Sequence, residues 1–228
     1  MFKKIFNYFT KAEITLWSLS VTFILVSFFI FKGSSVFSLI TSLIGITALI
    51  FCAKGNPIGQ GLIIVFAILY GIISFSFAYY GEMITYLGMS LPMAVFALVS
   101  WLKNPYNGNK AQVKINKLNG KEIAFMLILT TIVSIAFYFI LDVLGTSNLL
   151  ASTFSVTTSF LAAYLTFRRN PFYALAYALN DIVLIILWVL ASIENVSYVS
   201  VVVCFIVFLV NDMYGFINWL KMQKSQAQ

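Results

Sequence analysis

Long apolar runs separated by brief polar punctuation divide the chain into eight segments. Each is close to the roughly 20 residues an α-helix needs to cross the hydrocarbon core of a bilayer. The pattern predicts helices over about 14–32, 35–53, 58–80, 82–101, 122–144, 148–167, 170–192 and 196–220. Connections are short except for 102–121, where Asn104, Pro105, Asn107, Gly108 and Asn109 precede Lys-rich sequence. That stretch reads as a linker rather than a domain.

Composition agrees with the pattern. Hydrophobic residues make up 61% of the 228 positions and charged residues 9%, against about a quarter charged in soluble domains. The expectation is an all-α polytopic membrane protein with no soluble catalytic domain. A net charge of +7 could suggest a nucleic-acid partner, but cytoplasmic loops of membrane proteins concentrate Lys and Arg. With the N-terminus inside, Lys3, Lys4, Lys11, Lys54, Lys103, Lys110, Lys114, Lys117, Lys121, Arg168, Arg169, Lys221 and Lys224 all fall on the cytoplasmic side. Only Lys32 falls outside, so both termini are expected in the cytoplasm and no nucleic acid is needed. The first apolar run lacks a short core with a small-residue cleavage site and reads as an uncleaved span. Cys52 and Cys204 lie in apolar spans and read as packing residues, not a disulfide or a metal pair.

The chain repeats itself. Asn56-Pro57 opens the third helix and Asn170-Pro171 the seventh, an offset of 114. At the same offset Ser38, Thr41, Gly45 and Ala48 match Ser152, Ser155, Ser159 and Ala162, each set forming one small helical face suited to close packing. Trp101-Leu102-Lys103 returns as Trp219-Leu220-Lys221 at an offset of 118. The expected division is a start and peripheral helix (1–34), a first three-helix unit (35–103), a loop and linker helix (104–147), a second three-helix unit (148–221) and a tail (222–228). One intervening span makes the two units a parallel repeat about an axis along the membrane normal.

Polar residues at membrane depth come next. Asn180-Asp181 and Asn211-Asp212 sit inside predicted helices, and no Lys, Arg or His lies in the interior of a span to neutralise them, Lys32 standing at the very end of the first. A carboxylate at a helix centre costs about 2.5 to 3.5 kcal/mol on insertion scales and is usually found facing a cavity with a partner. Counting from the helix ends places both pairs about 12 to 15 Å deep, so they can share one cavity. Helical geometry adds Trp188 seven residues beyond Asp181, and Tyr214 and Asn218 beyond Asn211. Carboxylates, amides and rings together suit a flat, polar, cationic ligand. The competing reading is that these residues are protonated or hydrogen-bonded glue between helices. Gln60 lies close to the cytoplasmic interface and could line an entry path or face headgroups. Trp101 and Trp219, ending their helices beside Lys, read as interfacial anchors. Pro92 removes the amide that would bond the carbonyl of Gly88, so a kink and a gating role are expected there. The first-unit positions matching the two Asn-Asp pairs are Phe66-Ala67 and Met93-Ala94, so the polar site is asymmetric. With no His, zincin, His-based triad and His-relay chemistry are excluded, no phosphate loop is present, and neither a cofactor nor a metal is expected.

The final helix reads Asn211-Asp212-Met213-Tyr214-Gly215-Phe216-Ile217-Asn218-Trp219. It resembles the signature of the PnuC-type vitamin transporters, and Asn180 stands at the matching place in the seventh helix. Phe216 replaces a common Trp and Asp212 a common Asn. The resemblance spans 35–221. It implies a 3+1+3 helix arrangement related to the SWEET sugar transporters and facilitated uptake of nicotinamide riboside across the bacterial inner membrane. Alternating access, trapping by a separate kinase and a homotrimer are implied with it. The site is expected to hold Asn180, Asp181, Trp188, Asn211, Asp212, Tyr214, Asn218 and Gln60. Thiamine, also a cation, is the alternative cargo, and a proton-coupled carrier is the alternative mechanism.

Overall fold

In the computed structural model, which describes residues 8–31, 35–76, 80–146 and 148–228, eight helices are long and apolar enough to span a membrane. They are α1 (Lys11–Ile30), α2 (Val36–Ala53), α3 (Pro57–Ser76), α4 (Tyr80–Lys103), α5 (Gly120–Val143), α6 (Leu149–Phe167), α7 (Phe172–Glu194) and α8 (Val199–Gln226). The predicted spans are all present, with ends shifted by a few residues. Lys3, Lys4 and Lys32 lie outside the described residues. Because the helices alternate in direction, every described Lys and Arg lies at one end of the bundle, hereafter the basic end.

Small residues set how closely the helices approach. A Cβ at Gly59 would come within 2.6 Å of the Cys52 backbone nitrogen, and one at Gly45 within 2.7 Å of the Phe208 ring. Glycine at these two positions lets α3 turn back against α2 and lets α8 lay an aromatic ring on α2. On α5 the outer face exposes Phe125, Ile128, Ile132, Ile135 and Phe139, as a lipid-facing surface requires.

Hydrogen bonds recur at the sequence offsets and run between the two halves. The Trp101 indole N–H donates to the Thr166 carbonyl at 2.9 Å, and the Trp219 indole to the Cys52 carbonyl at 2.8 Å. Ser100 donates to Phe167 and Asn218 to Ala53, both at 2.8 Å. Each helix-end carbonyl, left without an intrahelical donor, is thus capped from the opposite half. Gly55 and Arg169, 114 residues apart, both take positive φ, 65° and 57°. Trp101 and Trp219 are 0% exposed and 5.4 Å apart between ring centroids. This corrects the expectation of interfacial anchors: a buried indole N–H needs an acceptor, and these carbonyls supply it.

The two helices flanking the units also match. In α1, Thr10 and Glu13 form a capping box and Glu13 pairs with Lys54 at 3.0 Å. In α5, Asn119 and Glu122 form a capping box and Glu122 pairs with Arg168. Lys54 and Arg168 are themselves 114 apart, so α1 stands to α2–α4 as α5 stands to α6–α8.

The linker is more ordered than a loop. Its segments β1 (Pro105–Tyr106) and β2 (Asn109–Val113) pair antiparallel around Asn107-Gly108, both at positive φ, as Asn-Gly hairpin turns require. From there the chain straps the two halves together: the Val113 N–H donates to Gly55 and the Asn116 N–H to Arg169. Residues 222–226, expected as tail, continue α8. Gln226 there accepts from the Ile115 N–H and donates to the Val113 carbonyl.

Candidate functional site

On α7 the buried face carries Tyr173, Asn180, Asp181 and Trp188; on α8 it carries Phe208, Asn211, Asp212, Gly215 and Trp219. Asp181 and Asp212 are 4% and 5% exposed, and their carboxyl groups face each other within hydrogen-bonding reach. Neither has an ion pair among the described residues, and Asp181 Oδ2 is buried without a hydrogen-bond partner. Two facing carboxylates in a low-dielectric interior require a shared proton or a cation between them.

Rings and dipoles surround the pair. Tyr177, four residues before Asp181 on the same face, interacts electrostatically with both carboxylates, and Tyr173 with Asp212. Tyr86 on α4 interacts electrostatically with Asp181. Asn180 accepts from Ser155 and Thr158 on α6, both at 3.0 Å. Cys52 interacts electrostatically with Asp212, and its sulfur accepts from Gln60 Nε2 at 3.3 Å.

The remaining expected residues are spread along the bundle. Asn211 turns towards α1: its Nδ2 donates to Ser20 Oγ at 2.9 Å and to the Val207 carbonyl, while its Oδ1 is buried without a partner. Tyr214 donates to Glu13 at 3.1 Å in the Glu13–Lys54 cluster near the basic end. Asn218 belongs to the closure around Trp219. Trp188 lies in the half remote from the basic end, edge-on to Tyr198 at 5.4 Å, and lines a cavity between α1, α2, α3, α7 and α8. The irregularity expected at Gly88, before Pro92, takes the form of a π-turn rather than a simple kink. The chain forms a π-turn over Tyr86–Ser90, with the Leu91 N–H donating back to the Tyr86 carbonyl, as inserted residues in helices at working sites commonly do.

Residues that reading along the chain did not single out are Tyr86, Tyr173, Tyr177, Tyr70 and Glu82. Tyr173 and Tyr177 were within reach of the helical spacing, at eight and four residues before Asp181. Glu82 stands at the head of the predicted fourth span. In the folded chain it accepts from Tyr70 at 2.7 Å.

The basic end is sealed below this site. Tyr173 packs on Trp219 at 4.9 Å and donates to the Cys52 carbonyl at 3.2 Å, completing the plug of Trp101 and Trp219. Over it, Arg169 donates to the Lys114 carbonyl and to Ser100 Oγ. Burial, and then the charge of Arg168, lower the Arg169 guanidinium from its ordinary range.

Comparison with known proteins gives consistent results. Residues 35–221 match the family model described as nicotinamide mononucleotide transporter. The nicotinamide riboside transporter PnuC of Neisseria mucosa is 24% identical over 229 residues, covering 99% of this chain and 87% of that protein. The nicotinamide riboside transporter PnuC of Haemophilus influenzae is 24% identical over 188 residues, covering 82% and 80%. A crystal structure of the vitamin B3 transporter PnuC superposes with a TM-score of 0.82 at 22% identity, covering 96% of this chain and 94% of that one, so the fold is shared. With the family model matched across most of its length, this multi-pass membrane protein belongs to the nicotinamide mononucleotide transporter family.

Proposed function

We propose that the chain carries nicotinamide riboside into the cell, by facilitated diffusion and alternating access, across the bacterial cytoplasmic membrane. Both termini and the basic end face the cytoplasm in this reading, as the positive-inside rule favours, and the protein works as a homotrimer. The observation that carries the choice of cargo is the facing pair Asp181 and Asp212, buried without a cationic partner among the described residues. Nicotinamide riboside brings a fixed pyridinium charge, a carboxamide and a ribose. The mononucleotide adds a phosphate, which would meet carboxylates and no Lys or Arg at this depth, an unfavourable juxtaposition. Tyr86, Tyr173 and Tyr177 offer faces for the ring, and Asn180 offers an amide for its edge. Rocking of α2–α4 against α6–α8 would part the Trp101–Trp219 plug and release cargo to the cytoplasm.

The same carboxylate pair favours one rival mechanism, in which a proton moves with or against the cargo. Thiamine, also cationic, is the rival cargo. Uptake of labelled nicotinamide riboside into proteoliposomes tests the reading. Accumulation that stops at equal concentrations, with or without a proton gradient, is the expected result. Gradient-driven accumulation would assign coupling to the pair. Transport of thiamine alone would replace the cargo.

A further inference from the structure

We infer that Glu82, with the rings of Tyr70 and Tyr86, forms a second cation-binding station on the route between the open face remote from the basic end and the Asp181–Asp212 pair. The inference rests on the riboside reading above, and the ligand class is an aromatic cation such as a pyridinium nucleoside.

Two cavities occupy the half of the bundle remote from the basic end. One, between α1, α2, α3, α7 and α8, is walled in part by Tyr70, Trp188 and Phe208. The other, between α4, α6 and α7 and the end of α5, is walled in part by Tyr86 and Ser155. Glu82 lines both. It is the acidic group that both cavities share. Its carboxylate accepts from the Tyr70 hydroxyl at 2.7 Å, which fixes its orientation. Tyr70 and Tyr86 lie 4.4 Å apart between centroids, inclined at 43°, and Phe66 stacks on Tyr70 at 5.7 Å. A carboxylate beside electron-rich ring faces is the arrangement that holds a flat cation.

Tyr86 links the two stations. It interacts electrostatically with both Glu82 and Asp181, and it opens the π-turn that precedes Pro92. Ser155, on the second cavity wall, donates to Asn180. A cation leaving Glu82 thus meets Tyr86 before the central pair, so the charge is accompanied by an acceptor or a ring through the low-dielectric interior, where an unaccompanied charge is costly.

The test uses the full chain in proteoliposomes and two probes of nearly the same shape, nicotinamide riboside and its reduced dihydropyridine form, which is uncharged. Glu82→Gln is expected to raise KM for the cationic riboside about tenfold and to leave KM for the neutral form within about twofold. Glu82→Asp, which keeps the charge but draws it back, is expected to raise the cation's KM about threefold with the neutral form again unmoved. It serves if the Gln variant fails to reach the membrane. Equal changes for both probes would make Glu82 a structural residue, and no change for either would remove it from the route. Both outcomes overturn the inference while leaving the riboside reading standing. Wild-type protein that carries neither probe would bring down the riboside reading and this inference with it.

Discussion

At the scale of single residues, the proposed function rests on charges without counter-charges. Asp181 and Asp212 are held apart from every described Lys and Arg by the depth of their helices, and their one ready source of neutralisation is a cation or proton lodged between them. Replacing Asp212 with Asn removes one charge while keeping the shape. Affinity for nicotinamide riboside is expected to fall about tenfold, roughly 1.4 kcal/mol, in a calorimetric titration. Tyr214→Phe should leave that affinity within about twofold, because its hydroxyl is engaged by Glu13; a tenfold loss there would move the site towards α1. Both Asn-Asp pairs were legible in the sequence because an intramembrane carboxylate is conspicuous. Their partners were less so. Tyr177 and Tyr173 precede Asp181 on its own face, and Tyr86 and Glu82 come from another helix altogether, a juxtaposition that helical spacing within one segment cannot reveal.

In the proposed mechanism, helices and turns would carry the rearrangement. In α4 the missing amide of Pro92 is accommodated by the π-turn over Tyr86–Ser90, which Tyr86 opens. Pro92→Ala restores the amide and permits a regular α-helix, turning Tyr86 by up to about 100°. Uptake at saturating riboside is expected to slow about threefold or more, and an unchanged rate would make the π-turn incidental. The eight helices were legible to within a few residues at most ends because apolar length is a strong signal. The Asn107-Gly108 hairpin carried its own turn residues. The strap it forms was not legible, since its partners are backbone carbonyls of Gly55 and Arg169, and a carbonyl leaves no mark in the sequence. Trp101 and Trp219 failed for the same reason: beside Lys at a helix end they resemble interfacial anchors, and only the folded chain brings the Thr166 and Cys52 carbonyls to them.

For the molecule as a whole, the recurring offsets describe two halves that cap each other's helix ends at the basic end and part towards the other. Trp101 and Trp219 are equivalent in this scheme and touch, so their effects should not add. Each Trp→Ala change is expected to cost about 3 kcal/mol or more of stability. The double variant should cost less than the sum by about 1 kcal/mol, read from thermal unfolding in detergent; strict additivity would mean that the two rings act separately. The plug closes the basic end while cavities lie towards the other, an arrangement that fits the proposed entry of cargo from the face remote from the termini. The central claim is that this interior selects a cationic nicotinamide nucleoside by its carboxylates. Calorimetric titration of the purified protein with nicotinamide riboside, its mononucleotide, thiamine and riboflavin tests it most directly. Binding of the riboside alone, weakened in Asp181→Asn, is the predicted result. Binding of the mononucleotide as tightly as the riboside, or riboside binding indifferent to Asp181→Asn, would contradict it.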